Sequence, residues 1–396
     1  MPEVTRQSDH LRGGERRVGL AVACAVVGIL ALVTAACSSD GPDTSAAADA
    51  AETTEVVGPG RGPAVGSTGC SVDTAEGAGE EVEPGASEEE LDGAGPTRTF
   101  RRFVPSAYEP TVPAPLVVDL HGLTMTNDLE AALTGFEELA EDEGFVVVTP
   151  QGLGDIPFWN FISSGVATDD VAFLGDLVEQ VGVDLCIDAS RVYASGISNG
   201  GLMSSALACR RPDVFAAVAP VAGVAFLPGC EEGPPVGYQA VYGTADDVLP
   251  YDGGLGGNLQ GFLAENPLDE SRASTDEQQG QISTIAFAPV DDTLARWAER
   301  NGCESEPVEE RVSGEVVRWW WPDCDEGAEV VLYIVEGGGH TWPGTPLLTD
   351  RATAADPEGE ADTAAGGLAS VAGRTTDDIS ATALAWEFFQ RHQLNP

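Results

Sequence analysis

The chain has 396 residues, 65 acidic against 19 basic, every Lys/Arg position being Arg, and a formal net charge of −46. Such a surface excludes nucleic acid and anionic polymers as partners and suits neutral or weakly charged substrates. Adaptation to high salt, which screens self-repulsion, and a high-GC codon bias with a solvated surface are the two readings of the imbalance.

Taken in chain order, Arg12, Arg16 and Arg17 precede an apolar run from Val18 to Ala36, then Cys37-Ser38-Ser39-Asp40. A basic region, a hydrophobic core and small residues before a cleavage point predict an export signal over residues 1–36. Thr34-Ala35-Ala36-Cys37 resembles a bacterial lipobox, which implies that Cys37 is lipidated and holds the protein on the outer face of the cell membrane. The alternatives are ordinary secretion and an uncleaved anchor, since the run is just long enough to span. Residues 37–96 are Ala, Gly, Glu, Asp and Pro with few aliphatics, too little apolar surface to offset ordering entropy. They are predicted to be a flexible acidic linker, with Cys70 as its unexplained exception.

Residues 97–396 suit one domain. Strands are predicted at Arg101–Val104, Leu116–Leu120, Phe145–Thr149, Val192–Ser195, Ala216–Val221, Gly237–Tyr242 and Val330–Val335. Helices are predicted at Leu129–Glu143, Asp170–Val181, Asn199–Arg210, Asp291–Asn301 and Thr376–His392. Apolar strands alternating with amphipathic helices predict an α/β class with a mostly parallel central sheet covered on both faces.

The pentapeptide Gly196-Ile197-Ser198-Asn199-Gly200 is a weak signal alone. Between the strand Ala189–Ser195 and the small-residue helix start Gly201-Leu202-Met203, it has the strand–turn–helix context of a nucleophile elbow. Of the four histidines, His10 falls in the predicted signal. His392 reads as a cation at the end of the last helix, and His121 ends an early strand as a loop-shaping residue. His340, after the strand Val330–Val335 and Gly337-Gly338-Gly339, has the chain order and loop position of a base. Asp246, after Gly237–Tyr242, is the predicted acid, with Asp247 as the alternative. The oxyanion donors are predicted as the backbone N–H groups of Asn199 and Leu123.

Trp159 and Trp342 are candidate substrate-surface residues, while Trp319-Trp320-Trp321 reads as a packed strand. Asp169-Asp170 reads as the cap of the following helix. Cys24 and Cys37 belong to the signal; the remaining six cysteines suggest three disulfides, with 15 pairings open. Cys303–Cys324 is preferred, then Cys209–Cys230, with Cys70–Cys186 left by elimination. No C-x-x-C or clustered His suggests a metal.

Several blocks together carry a family resemblance: Arg191-Val192-Tyr193, Ser198-Asn199-Gly200-Gly201-Leu202-Met203, Leu207-Ala208-Cys209, Pro212-Asp213-Val214-Phe215-Ala216-Ala217, Gly243-Thr244-Ala245-Asp246 and Gly338-Gly339-His340-Thr341-Trp342-Pro343-Gly344. They resemble the secreted poly(3-hydroxybutyrate) depolymerases and feruloyl or acetylxylan esterases, a group overlapping carbohydrate esterase family 1. The resemblance covers roughly residues 97–394. It implies an α/β-hydrolase fold, a triad of Ser198, Asp246 and His340, oxyanion donors at Leu123 and Asn199, and ester hydrolysis without a cofactor or metal. The substrate would be a hydroxybutyrate polyester or feruloyl or acetyl esters of plant polysaccharide. Tyr242, where many members have His, and an acidic insertion from Leu347 to Gly373 depart from the pattern. A non-catalytic surface lipoprotein with a relict triad and a serine peptidase of related fold are the competing readings.

Overall fold

Strand β3 (Ala114–Leu120) is buried at every residue, so it must be covered on both faces and lie inside a sheet. The computed structural model describes residues 63–71, 82–92, 95–162, 168–265, 288–304, 306–345, 347 and 372–395. The predicted signal, Cys37 and all but the ends of the 347–373 segment lie outside them.

Among the described residues the sheet has ten strands. They are β1 (Gly85–Leu91), β2 (Arg98–Val104), β3, β4 (Val146–Pro150), β5 (Ile187–Ile197), β6 (Ala217–Val221), β7 (Gly237–Gly243), β8 (Val308–Ser313), β9 (Val316–Trp321) and β10 (Val330–Val335). Their spatial order is β1-β2-β4-β3-β5-β6-β7-β10-β9-β8. The run from β4 through β10 is parallel, and an antiparallel pair of strands flanks it at each end. This is the predicted α/β-hydrolase fold.

Alternation along β3 sorts the core into two layers. Leu116, Val118 and Leu120 pack with α3 (Asp170–Asp184), α4 (Asn199–Arg210) and α6 (Val290–Arg300). Val117 faces α1 (Asn127–Thr134), α2 (Phe136–Glu143) and α7 (Ala381–Phe389). A further helix, α5 (Gly257–Glu265), buries none of its residues. Among the described residues no helix is long and apolar enough to cross a membrane.

Several boundaries differ from expectation. The single helix predicted over Leu129–Glu143 is two helices, because Gly135 takes the left-handed conformation (φ 67°) and closes the first with its N–H on the Ala131 carbonyl. Asp169 caps α3 through Ala172 N at 3.0 Å, as expected, but Asp170 is buried against Arg98. The linker predicted over 37–96 is corrected in its second half. Gly85–Leu91 is an edge strand paired along its length with β2, and Gly66 bridges Asp188. Neither segment buries an apolar face that composition could reveal; backbone pairing, the Glu89–Arg102 ion pair at 2.8 Å and a disulfide hold them. All three cysteine pairs are formed: Cys70–Cys186, Cys209–Cys230 and Cys303–Cys324.

Candidate active site

The C-terminal ends of β3, β5, β7 and β10 share one edge of the sheet, and the loops leaving them carry the predicted site. Ser198 stands between β5 and α4 with φ 57° and ψ −117°. A non-glycine residue there costs on the order of 1–3 kcal/mol and persists only where its surroundings hold it. Ser198 N donates to the Val221 carbonyl at 2.9 Å. At Gly200 an added Cβ would overlap the Leu120 carbonyl, so the helix start can approach β3 only without a side chain. The result is a half-buried hydroxyl at the first turn of a helix.

His340 Nδ1 lies 2.7 Å from Asp246 Oδ2. The other carboxylate oxygen of Asp246 accepts the N–H groups of Val248 and Leu249, both at 2.8 Å. Asp246 is 3% exposed, so these contacts fully orient it. The acid and histidine loops are laced together: Ala245 N donates to Gly338 O at 2.8 Å and Gly337 N to Thr244 Oγ1 at 2.8 Å. With Nδ1 turned to the acid, Nε2 is the histidine nitrogen left for proton transfer. Among the described residues, no hydrogen bond joins Ser198 to His340; such contacts commonly tighten only in the substrate complex.

Asn199 opens α4, so its N–H has no intrahelical acceptor. Leu123 lies in the loop after β3 between two differently engaged residues. Thr124 (φ 70°) donates its N–H to Pro157 O at 2.9 Å, and Met125 N closes back on Gly122 O at 3.1 Å. His121 shapes that loop, as expected. Gly152 N donates to its Nε2 at 2.8 Å, which leaves the proton on Nδ1, 2.8 Å from Gly122 O. Burial pushes this imidazole down to about 4, so it stays neutral.

Trp159 and Trp342 are not substrate surfaces. Both are fully buried, at 1% and 0% exposure. The Trp342 indole donates to Thr382 Oγ1 at 2.9 Å and meets Phe136 edge-on. Trp159 is a brace between the two predicted oxyanion donors, a role sequence reasoning missed. Its indole N–H donates to the His121 carbonyl at 3.0 Å. Its backbone N–H and C=O pair with the Asn199 side chain at 2.6 and 3.1 Å. Behind it, Asp170 binds Asn160 N at 2.7 Å and pairs with Arg98. His392 is corrected too: buried against the Phe388 carbonyl, it is driven toward its neutral form by burial and is no helix-end cation.

The family model described as "Esterase PHB depolymerase" matches residues 103–231, a span holding Leu123 and Ser198 and ending before Asp246 and His340. The putative esterase NocK of Nocardia uniformis is 30% identical over 63% of this chain and 72% of its own length. A probable feruloyl esterase C of Aspergillus niger is 30% identical over 65% and 81%.

The chain belongs to the PHB depolymerase-type esterase family.

An acetyl xylan esterase from Aspergillus awamori, of solved structure, is 18% identical over 64% of this chain and 94% of its own, with a TM-score of 0.46. In this PHB depolymerase-type esterase the departure at Tyr242 has a local role: its buried hydroxyl donates to the Leu249 carbonyl at 3.0 Å and braces the Asp246 turn. A cleft of about 410 Å³ lies at the opposite edge of the sheet, among Tyr108, Pro113, Glu143, Arg191, Trp386 and Gln390. Its polar groups are engaged locally: Tyr108 with Cys186 N, Arg191 with Asp188, and Glu143 with Trp386 and Gln390. It is distinct from the serine's site. Among the described residues no cluster of His, Cys, Asp or Glu could hold a metal.

Proposed function

We propose that this esterase is a serine carboxylic ester hydrolase in which Ser198, His340 and Asp246 form the triad and Leu123 and Asn199 supply the oxyanion hole. The observation that carries the reading is the 2.7 Å His340–Asp246 contact at the sheet edge where Ser198 is held on its strained turn. His340 Nε2 takes the Ser198 proton as Oγ bonds to the ester carbonyl carbon. The carbonyl electron pair moves onto oxygen, facing the two backbone N–H groups. Collapse breaks the carbon–alkoxy bond, and the leaving alcohol takes the proton from His340. Water, deprotonated by His340, then attacks the acyl-enzyme and releases the acid and Ser198.

The substrates proposed are feruloyl or acetyl esters of plant polysaccharide, or hydroxybutyrate polyester and its oligomers; the named relatives support esters of this class. The protein is proposed to be exported by residues 1–36 and held outside the cell by lipid on Cys37, with catalysis confined to the domain built on the central sheet. Hydrolysis of p-nitrophenyl acetate and butyrate, methyl ferulate, acetylated xylan and a hydroxybutyrate oligomer, against Ser198→Ala, tests the reading. The variant is expected to lose about 10⁴–10⁶-fold in kcat. A folded wild type silent on every ester, and unlabelled by a serine-reactive phosphonate, would leave the non-catalytic binding role standing instead.

A further inference from the structure

The loop that presents the histidine runs Glu336-Gly337-Gly338-Gly339-His340. Three consecutive glycines bring no side chain to pack and little conformational preference of their own. Whatever holds His340 Nδ1 2.7 Å from Asp246 must therefore grip this backbone from outside. The acid loop does so on one side, through Thr244 and Ala245. On another side stands Arg374, the first residue after the acidic insertion, which the triad chemistry leaves without a role.

The Arg374 guanidinium donates to two carbonyls at the start of the loop, Nη2 to Glu336 O at 2.7 Å and Nε to Gly337 O at 3.3 Å. Its remaining nitrogen, Nη1, pairs with Glu315 Oε2 at 2.6 Å, in the turn between β8 and β9. A planar fork can address three acceptors at fixed angles, which a single ammonium cannot. The backbone of the same segment grips the far end of the loop. Gly339 N, adjacent to His340, donates to Arg374 O at 2.8 Å, and Gly344 N donates to Thr376 O at 3.0 Å. The two chains lie so close that a Cβ added at Gly339 would overlap the Ala372 carbonyl. Arg374 thus brackets the glycine run, with its side chain at one end and its carbonyl at the other.

We propose that Arg374 is a positioning residue for the histidine, its guanidinium fork fixing the glycine run so that His340 Nε2 meets Ser198. The inference rests on the triad proposed above and deepens it. Arg374 touches no reacting atom and no substrate, so its loss acts on the alignment of His340 and leaves the binding surface intact. His340 moves the proton in both halves of the reaction, attack by Ser198 and attack by water, so kcat falls while KM stays. The geometry requires the fork: a charge at this place without two carbonyls in reach does not hold the loop.

The test compares full-length wild type, Ser198→Ala, Arg374→Ala, Arg374→Lys and Arg311→Ala. It reads kcat and KM on p-nitrophenyl acetate and the rate of labelling by a serine-reactive phosphonate, which needs the histidine but no turnover. Arg374→Ala is expected to lower kcat about tenfold with KM within about twofold, as for a small misplacement of a reacting group, and to slow labelling by a similar factor. Arg374→Lys keeps the charge without the fork and recovers only part of the loss. Arg311 pairs with the Glu336 carboxylate at 2.9 Å; Arg311→Ala removes the same charge from the same neighbourhood and should leave kcat within about twofold. A folded Arg374→Ala with wild-type kcat overturns the proposal, as does a loss no larger than that of Arg311→Ala. If Arg374→Ala does not fold, Arg374→Lys decides, and wild-type kcat in that variant overturns it. A wild type whose hydrolysis does not depend on Ser198 removes the triad and its positioning residue together. A Ser198-dependent wild type with unmoved Arg374 variants removes the positioning role alone.

Discussion

Trp159 reaches both loops that carry the proposed oxyanion donors, through its indole on His121 O and its backbone on the Asn199 side chain. Trp159→Phe keeps most of the ring volume and strips the buried His121 carbonyl of its donor, a loss of about 1–3 kcal/mol in stability. Because the carbonyl belongs to the loop bearing Leu123, kcat should fall about tenfold with KM little changed, since sub-ångström misplacement of donors acts on the transition state. Steady-state kinetics beside thermal melting checks this; a variant that melts lower but turns over normally would reduce Trp159 to packing. Asp246→Asn replaces one acceptor oxygen with a donor, facing either His340 or the Val248 and Leu249 amides. A kcat loss of about 10³–10⁴-fold is expected with the fold intact. The His340–Asp246 contact and the Ser198 turn at the same sheet edge were legible because each of the three residues follows a strand end at the right point in the chain order. Trp159 and Trp342 were not. A tryptophan beside a catalytic motif reads the same whether it faces substrate or core, and only tertiary packing separates the two.

Among the elements, the strands that could be read were those whose burial leaves an unbroken apolar run, such as Leu116-Val117-Val118 and Val330-Val331-Leu332. β1 (Gly-Ala-Ser-Glu-Glu-Glu-Leu) and β8 (Val-Glu-Glu-Arg-Val-Ser) have no fully buried residue between them. No period-two signal exists for them, and their pairing is decided by the neighbouring strand rather than by their own side chains. Cys70 was the one trace that the acidic segment rejoins the domain. Its bond to Cys186 spans 116 residues, against 21 for Cys303–Cys324. On loop entropy the long closure should contribute about 5 kcal/mol and the short one about 3. Urea unfolding of Cys70→Ser with Cys186→Ser, beside the corresponding Cys303 and Cys324 double variant, measures the difference. Equal losses would mean that native contacts, not chain entropy, dominate. Because Cys186 sits at the start of β5 and Ser198 at its end, kcat of the surviving folded fraction should be untouched.

For the whole molecule the dominant quantity is the charge of −46. Ion pairs such as Arg311–Glu336 and Arg391–Glu329 are about half-exposed and contribute little each, so they do not offset the repulsion among unpaired acids. Screening lengths shrink from about 10 Å at 0.1 M salt to about 3 Å at 1 M, and the melting temperature should rise by several degrees across that range. A flat or falling curve would count against salt adaptation and in favour of a merely solvated surface. A different consequence follows from where the chain enters and leaves. Gly66 bridges Asp188, Cys70 is bonded to Cys186, and Leu394 N donates to Ser190 O at 2.8 Å, all at the entry end of β5. Both ends of the described domain therefore emerge at its back, about 11 strand residues, or roughly 35 Å, from the serine. Either terminus is a handle by which the catalyst can be fixed to a bead, a fibre or a cell wall with its working edge turned outward.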